Sequence, residues 1–128
     1  MNQLKLAFVP VSDEIARGWL DRVPEFDSGI LAYPTTRLLC AYNSHPVGFL
    51  PVHKAAILET LALNPEASNE DKAQAMRDLV KAATLTASSD GIKEIYFLGT
   101  DKHVIDIATK PGVGFEELPW KIYRMKLT

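Results

Sequence analysis

Alternating hydrophobic and polar positions predict a β-strand over residues 56–63, around which the rest of the chain can be arranged. Asn64-Pro65 ends the strand, because proline has no amide donor for a ladder and restricts the residue before it. The two-residue period of a strand separates two faces. One face carries Ile57, Glu59, Leu61 and Leu63, and the other carries Leu58, Thr60 and Ala62.

A helix follows this strand after a short polar loop. Its apolar positions recur at helical spacing and form one stripe, made of Met76, Leu79, Val80, Ala83 and Ala87. Asp90-Gly91 ends it. A strand, a loop and a helix start in this order present unpaired backbone amides, which suit an anionic ligand.

The flanking segments predict a mixed α/β sheet in which most neighbouring strands are antiparallel. Ser12 is placed as the cap of a first helix, and residues 25–36 form an irregular segment with at most one helical turn. The remaining predicted strands are residues 4–9, 37–42, 47–52, 93–99, 115–118 and 121–127, and a short helix covers residues 102–109.

Composition indicates one globular domain over residues 1–128, with 47% hydrophobic and 23% charged residues. A net charge of −2 gives no reason to expect nucleic acid or a membrane surface as a partner. The start of the chain lacks the apolar run of a signal peptide, so a cytoplasmic protein is expected. Cys40 is the single cysteine, and His45, His53 and His103 are too scattered to predict a metal site.

Three short motifs occur in a fixed order: Val47-Gly48-Phe49, Glu59-x-Leu61-x-Leu63-x-Pro65 and Gly114-Phe115-Glu116. Together they resemble the GNAT superfamily of acyl-CoA-dependent N-acetyltransferases. The resemblance implies helices on both faces of the sheet and a V-shaped splay between the fourth and fifth strands. These two strands, residues 56–63 and 93–99, are expected to pair in parallel, joined by the helix between them. The resemblance also implies acetyl-CoA or another acyl-CoA as cofactor and a small-molecule or peptide amine as acceptor, and it leaves a homodimer open.

The same resemblance assigns candidate site residues. Glu59 stands where many members keep a carboxylate that removes a proton from the amine, and its apolar neighbours on the strand predict a desolvated side chain. The alternative is a structural ion pair between Glu59 and Arg37, Lys54 or Arg124. The main chain of Leu61, Ala62 and Leu63 would contact pantetheine. The altered phosphate loop would consist of Ser68, Asn69, Glu70, Asp71, Lys72 and Ala73.

This loop departs from the family pattern Q/R-x-x-G-x-G/A, because only Ala73 matches it. Ser68 replaces the basic or amide residue and Asp71 replaces the first glycine. Ser68 or Asn69 is expected to cap the helix and occupy amides that a phosphate would use. A carboxylate about 6 Å from a pyrophosphate charge costs roughly 2–3 kcal/mol at an effective dielectric constant of about 20. Lys72, Arg77 and Lys81 would offset part of this repulsion.

The family's usual acid, a tyrosine shortly before the Gly-Phe motif, is also missing, because Lys110 occupies that place. Tyr33, Tyr96 and Tyr123 are candidates to replace it, although a core or hairpin tyrosine explains each of them better. The leading expectation is a small N-acyltransferase. The alternative is a GNAT-fold protein with a degenerate CoA site that acts as a non-catalytic binding or structural component. The short N-terminal half supports this alternative, because family members usually use two helices there to shape the acceptor site. Abbreviated members of this kind also resemble those carried by phages.

Overall fold

Up to residue 108, the order of helices and strands follows the sequence prediction. The computed structural model describes residues 3–99 and 102–127, and it confirms a mixed α/β fold in which most strand pairs are antiparallel. The strands are β1 (Lys5–Val9), β2 (Arg37–Tyr42), β3 (Pro46–Val52), β4 (Ala56–Leu58) and β5 (Ile95–Phe97). The helices are α1 (Glu14–Leu20), α2 (Asn69–Ser89) and α3 (Lys102–Ala108), with a short 3₁₀ helix at Ser28–Ala32.

Two groups of strands form the sheet structure. β1, β2 and β3 pair antiparallel in that order, and the hairpin between β2 and β3 turns where the Asn43 side chain accepts a hydrogen bond from the His45 amide. β4 and β5 pair in parallel, with Ile57 opposite Tyr96. α2 makes the long connection that parallel neighbours require. The predicted parallel pairing of these two strands is confirmed.

The main core lies between α1 and the antiparallel sheet. Its buried members are Ala16 and Leu20 from α1, Leu31 from the 3₁₀ helix and Leu38 from β2. The helix starts one residue later than predicted, because Asp13 rather than Ser12 is its cap. The Asp13 carboxylate accepts a hydrogen bond from the Ala16 amide at 3.0 Å. Residues 25–36 contain the single helical turn that the sequence allowed, capped by Asp27.

The strand predicted over residues 56–63 is wrong in length, because regular pairing ends at Leu58. Its partner β5 likewise covers only Ile95–Phe97 of the predicted residues 93–99. Gly99, two residues beyond β5, occupies a crowded position, because a Cβ atom there would lie 2.7 Å from the Phe97 ring and 2.9 Å from the Ile105 side chain. Residues 59–63 have no ladder partner among the residues that the structure describes.

The closing strands predicted at residues 115–118 and 121–127 are also wrong, since this segment has no regular structure. Gly114 has a φ of +88°, which turns the chain after α3. The Phe115 amide then donates to the Ala108 carbonyl, and its ring packs edge-on against Phe97 at 4.9 Å. Pro119 removes one more ladder donor. The following side chains are exposed, as shown by Tyr123 at 88%.

Candidate functional site

The end of the β4–β5 ladder is the first feature of the candidate site. Pairing stops at Leu58 and Phe97, and Glu59 is the next residue of the chain. The backbone of residues 61–63 makes no hydrogen bond to any residue that the structure describes. Leu61 and Ala62 are exposed and Leu63 is half-buried. The main-chain groups of Leu61, Ala62 and Leu63 are therefore available to a ligand that enters beside β4.

Glu59 is exposed, so the desolvation that the sequence predicted for it is wrong. Ile57, which was expected to help bury it, is itself 58% exposed. The structural alternative fails as well: within residues 3–99 and 102–127 no ion pair joins Glu59 to Arg37, Lys54 or Arg124. The Arg37 guanidinium lies instead over the Phe8 ring at 3.8 Å. Glu59 is left as a solvent-accessible carboxylate directly after the end of the β4–β5 ladder.

The loop after β4 satisfies several of its own amides, as its sequence predicted. The Ser68 hydroxyl accepts a hydrogen bond from the Asp71 amide at 3.1 Å and caps α2. The Asn64 side chain accepts a second bond, from the Glu66 amide at 2.9 Å. Among the described residues, only Asn69 and Glu70 in the first turn of α2 keep amides without a protein acceptor. Glu70 and Asp71 place two carboxylates in that same turn.

Lys72 is the basic residue that reaches this loop. Its ammonium group donates to the Pro65 carbonyl at 3.3 Å, so the side chain folds back over the loop from the first turn of α2. Arg77 is engaged elsewhere, because its guanidinium donates to Gln74 on the same helix. One positive charge thus lies over the loop, beside the carboxylates of Glu70 and Asp71. Ala73 is exposed on the helix surface.

A second group of polar side chains converges on Glu94, just before β5. Its carboxylate accepts hydrogen bonds from Tyr96 at 2.8 Å and from Tyr33 at 3.4 Å. The His53 Nε2 atom lies 3.8 Å from the same carboxylate, and the His53 ring packs edge-on against Tyr33. Sequence reasoning had weighed Tyr33, Tyr96 and His53 singly but not Glu94. The available signal was the two-residue spacing of Glu94 and Tyr96, which places both on one face of a strand.

These contacts argue against Tyr33 or Tyr96 as the acid. Burial, the hydrogen bond to Glu94 and the negative charge of Glu94 raise the pKa of Tyr96 to about 12. Burial and the charge of Glu94 also raise the pKa of Tyr33. Both hydroxyls consequently hold their protons tightly and act as donors to the carboxylate. Tyr123, the third candidate, is exposed at the far end of the chain.

The raised pKa of Tyr96 predicts a loss of stability at high pH. Below about pH 10 the phenol is protonated in both folded and unfolded chains, so its contribution is complete. Between pH 10 and 12 only the unfolded chain releases the proton, and the free energy of unfolding falls. Between pH 9 and pH 11 we expect the free energy of unfolding, measured with denaturant, to fall by about 1 kcal/mol more in the wild type than in Tyr96→Phe. The exposed Tyr123→Phe should behave as the wild type, and an equal loss in all three proteins would contradict the prediction.

A surface cleft runs along β5 from Lys93 to Gly99. It has a volume of about 670 Å³ and is lined by β5 together with α3 and the segment from Gly114 to Ile122. Glu94 and Tyr96 contribute to its wall, whereas Glu59 and the loop at 68–73 do not. A smaller cleft of about 280 Å³ lies at the tip of the β2–β3 hairpin.

Metal and membrane sites receive no support from the part of the chain that the structure describes. No group of three or more potential ligands among His, Cys, Asp and Glu is positioned there to hold a metal ion. The side chain of His103 lies outside the described residues. None of the helices described has the length and apolar character needed to cross a bilayer.

Comparison with known proteins gives structural neighbours but no relative in sequence. No protein-family model and no curated protein matches the chain. One similar solved structure is the aminoglycoside 6'-N-acetyltransferase AAC(6')-Ih from Acinetobacter baumannii, at 15% identity and a TM-score of 0.40, covering 98% of this chain and 99% of that chain. Another is AAC(6')-Iy in complex with the bisubstrate analogue CoA-S-monomethyl-acetylneamine, at 14% identity and a TM-score of 0.42, covering 99% and 100%. Both neighbours are N-acetyltransferases, the class that the sequence motifs resemble.

Proposed function

We propose that the protein is a small N-acyltransferase that transfers an acetyl or other acyl group from acyl-CoA to an amine. One observation carries the proposal: the parallel β4–β5 ladder ends at Leu58 and Phe97, directly before Glu59, whose exposed carboxylate forms no ion pair with any residue that the structure describes. Beyond the end of the ladder, the main chain of residues 61–63 keeps groups that an extended ligand can bind. A carboxylate at the end of the ladder is suited to accept a proton from an incoming amine.

In the proposed reaction, Glu59 and the main chain of residues 61–63 have separate roles. The acyl thioester supplies an activated carbonyl carbon. Glu59 accepts the proton that the amine loses as the new C–N bond forms, directly or through one water, while the C–S bond breaks and the thiolate leaves. The main chain of residues 61–63 positions the extended pantetheine arm. The proton that the thiolate needs comes from solvent, because Tyr33 and Tyr96 are held by Glu94.

The loop at residues 68–73 fits a diphosphate only in part. Lys72 and the open amides of Asn69 and Glu70 suit one phosphate group, whereas the Glu70 and Asp71 carboxylates oppose it. Ser68 occupies the Asp71 amide. We therefore expect weak acyl-CoA binding, with a dissociation constant in the millimolar range.

Release of free CoA thiol tests the proposal. The protein is incubated with millimolar acetyl-CoA and a panel of primary amines, and the thiol is measured with a chromogenic disulfide. We expect release that depends on both the protein and the amine. A rate that never exceeds the amine-only background across the panel would contradict the acyltransferase function.

A second candidate is a binding or structural component that does not use acyl-CoA. The self-capped start of α2 favours it, because the Ser68 hydroxyl already holds an amide that a phosphate would need. Calorimetry with acetyl-CoA separates the two functions. Heat of binding at millimolar ligand supports the enzyme, and its complete absence together with absent thiol release supports the second candidate.

A further inference from the structure

The cluster around Glu94 brings three segments of the chain to one point. Tyr33 follows the 3₁₀ helix and His53 follows β3, whereas Glu94 directly precedes β5 and Tyr96 lies within it. Two hydroxyl donors fix the orientation of the carboxylate, at 2.8 Å and 3.4 Å. Three aromatic or heteroaromatic rings thus surround one acidic group.

The charge of this cluster is not balanced by a permanent cation. The side chains of Glu94 and His53 are only 26% and 19% exposed. Within the described residues no lysine or arginine forms an ion pair with Glu94, and His53 at 3.8 Å is the one basic partner. The two tyrosine hydroxyls donate to the carboxylate but bring no positive charge to it. A partly buried carboxylate with neutral donors gains free energy when a cation binds to it.

A ligand can reach Glu94 from the large cleft. Glu94 and Tyr96 form part of the wall of this 670 Å³ space, whose other lining is largely apolar and includes Phe97, Phe115 and Trp120. Lys93, Glu116 and Glu117 also line the cleft, but Glu94 is the charged residue there whose carboxylate is held in place by two tyrosine hydroxyls. A mostly apolar cleft with a few precisely placed polar groups is the usual composition of a small-molecule site. The aromatic rings near the carboxylate favour a cationic group in particular, because the faces of such rings attract cations.

We propose that Glu94, with Tyr96, Tyr33 and His53 around it, binds a protonated amine group of a small molecule. The ammonium group donates hydrogen bonds to the carboxylate, and the alkyl part of the ligand packs along the apolar wall of the cleft. The carboxylate keeps acceptor capacity for this, since two oxygens offer about four lone-pair positions and two of them face tyrosine hydroxyls.

The position of this site relative to Glu59 indicates which amines fit, and this step rests on the proposed function. The ladder pairs Ala56 with Ile95, so Ala55 lies opposite Glu94 and Glu59 follows four residues later. Four residues of extended chain span roughly 13 Å at about 3.3 Å per residue. An acceptor held at Glu94 by one amine therefore presents a second amine to Glu59 when the two are separated by about that distance. The preferred acceptor class is a long diamine.

Calorimetry without acyl-CoA tests the amine site independently of the enzyme function. Decamethylenediamine is the long probe, and trimethylenediamine is the short one. We expect Glu94→Gln, which keeps the shape and a hydrogen-bond acceptor, to weaken binding of the long diamine about tenfold. Glu117→Gln removes the same charge from the wall of the same cleft but outside the cluster, and it should change the affinity less than twofold.

Two further readouts separate the possible outcomes. If circular dichroism shows that Glu94→Gln is not folded, the experiment uses Glu94→Asp instead. This variant keeps the charge on a shorter side chain and should weaken binding of the long diamine several-fold. In thiol-release assays Glu94→Gln should raise the KM of the long diamine about tenfold, leave its kcat unchanged and leave the KM of the short diamine unchanged. Equal weakening by Glu94→Gln and Glu117→Gln, or unchanged binding in the first, would overturn the amine site. Diamine binding without any acyl transfer would keep the site and refute the enzyme function.

Discussion

Replacing Glu59 with glutamine should lower the turnover of acyl transfer roughly a hundredfold while acetyl-CoA affinity changes less than twofold. A positioned general base typically contributes about 10²–10⁴-fold to a rate. The lower end applies here because Glu59 is exposed, and water can replace part of its function. Glutamine keeps the size of the side chain but cannot accept the proton. The measurement compares kcat from thiol release with the dissociation constant from calorimetry.

The control for this prediction is Glu25→Gln. Glu25 is also an exposed carboxylate outside regular structure, but it belongs to the irregular segment before the 3₁₀ helix. Its substitution changes the net charge by the same amount and should leave kcat within twofold of the wild type. Equal kcat values for Glu59→Gln and the wild type would show that Glu59 is not the base. The amine would then lose its proton to solvent.

The order of elements could be predicted from sequence because it depends on local signals. Two-residue alternation, proline breaks and helix caps each act within a few residues of the chain. These signals placed the bounds of β2 and β3 within one residue of those observed, and they placed the cap of α2 at Ser68 or Asn69. The parallel pairing of β4 with β5 followed from the helix between them. The cap of α1 was misplaced by one residue because Ser12 and Asp13 are both good capping residues.

Strand length could not be predicted in the same way, because a strand continues only where a partner continues beside it. The alternation of residues 56–63 is regular, yet pairing ends at Leu58. Its partner β5 ends at Phe97, and the point at which two strands stop pairing depends on the tertiary arrangement. The C-terminal segment shows the same effect, since Phe115 bonds to the end of α3 and leaves the residues after it exposed.

The same distinction between local and long-range relations applies to the candidate site. The cap at Ser68 was predictable, because a serine three residues before an amide of the first turn is a local relation. The Glu94 cluster was not, because Tyr33 and Glu94 are 61 residues apart in the chain. The exposure of Glu59 was also missed. Its burial depended on neighbours that the shortened strand does not hold in place.

Rebuilding the loop should convert weak acyl-CoA binding into tighter binding. In the double variant Ser68→Arg with Asp71→Gly, one carboxylate is removed, one cation is added, and the capped amide becomes free. Each close charge contact with the pyrophosphate is worth roughly 2–3 kcal/mol at about 6 Å. Since solvent and the loss of the cap reduce this gain, we expect a ten- to hundredfold rise in acetyl-CoA affinity, about 1.4–2.7 kcal/mol, by calorimetry. Loss of the Ser68 cap should cost about 1 kcal/mol of folding stability.

A charge-matched control separates the loop from general electrostatics. Thr84→Arg with Asp78→Ala changes the net charge by the same two units on the same helix, at exposed positions that follow the loop by eleven and five residues. It should raise acetyl-CoA affinity less than threefold. An equal gain in both double variants would attribute the effect to net charge, and the capped loop would not be the cause of weak binding. Micromolar binding by the unmodified protein would contradict the self-capping account directly. Lys72, already folded over the loop onto the Pro65 carbonyl, would then be the group that holds the phosphates.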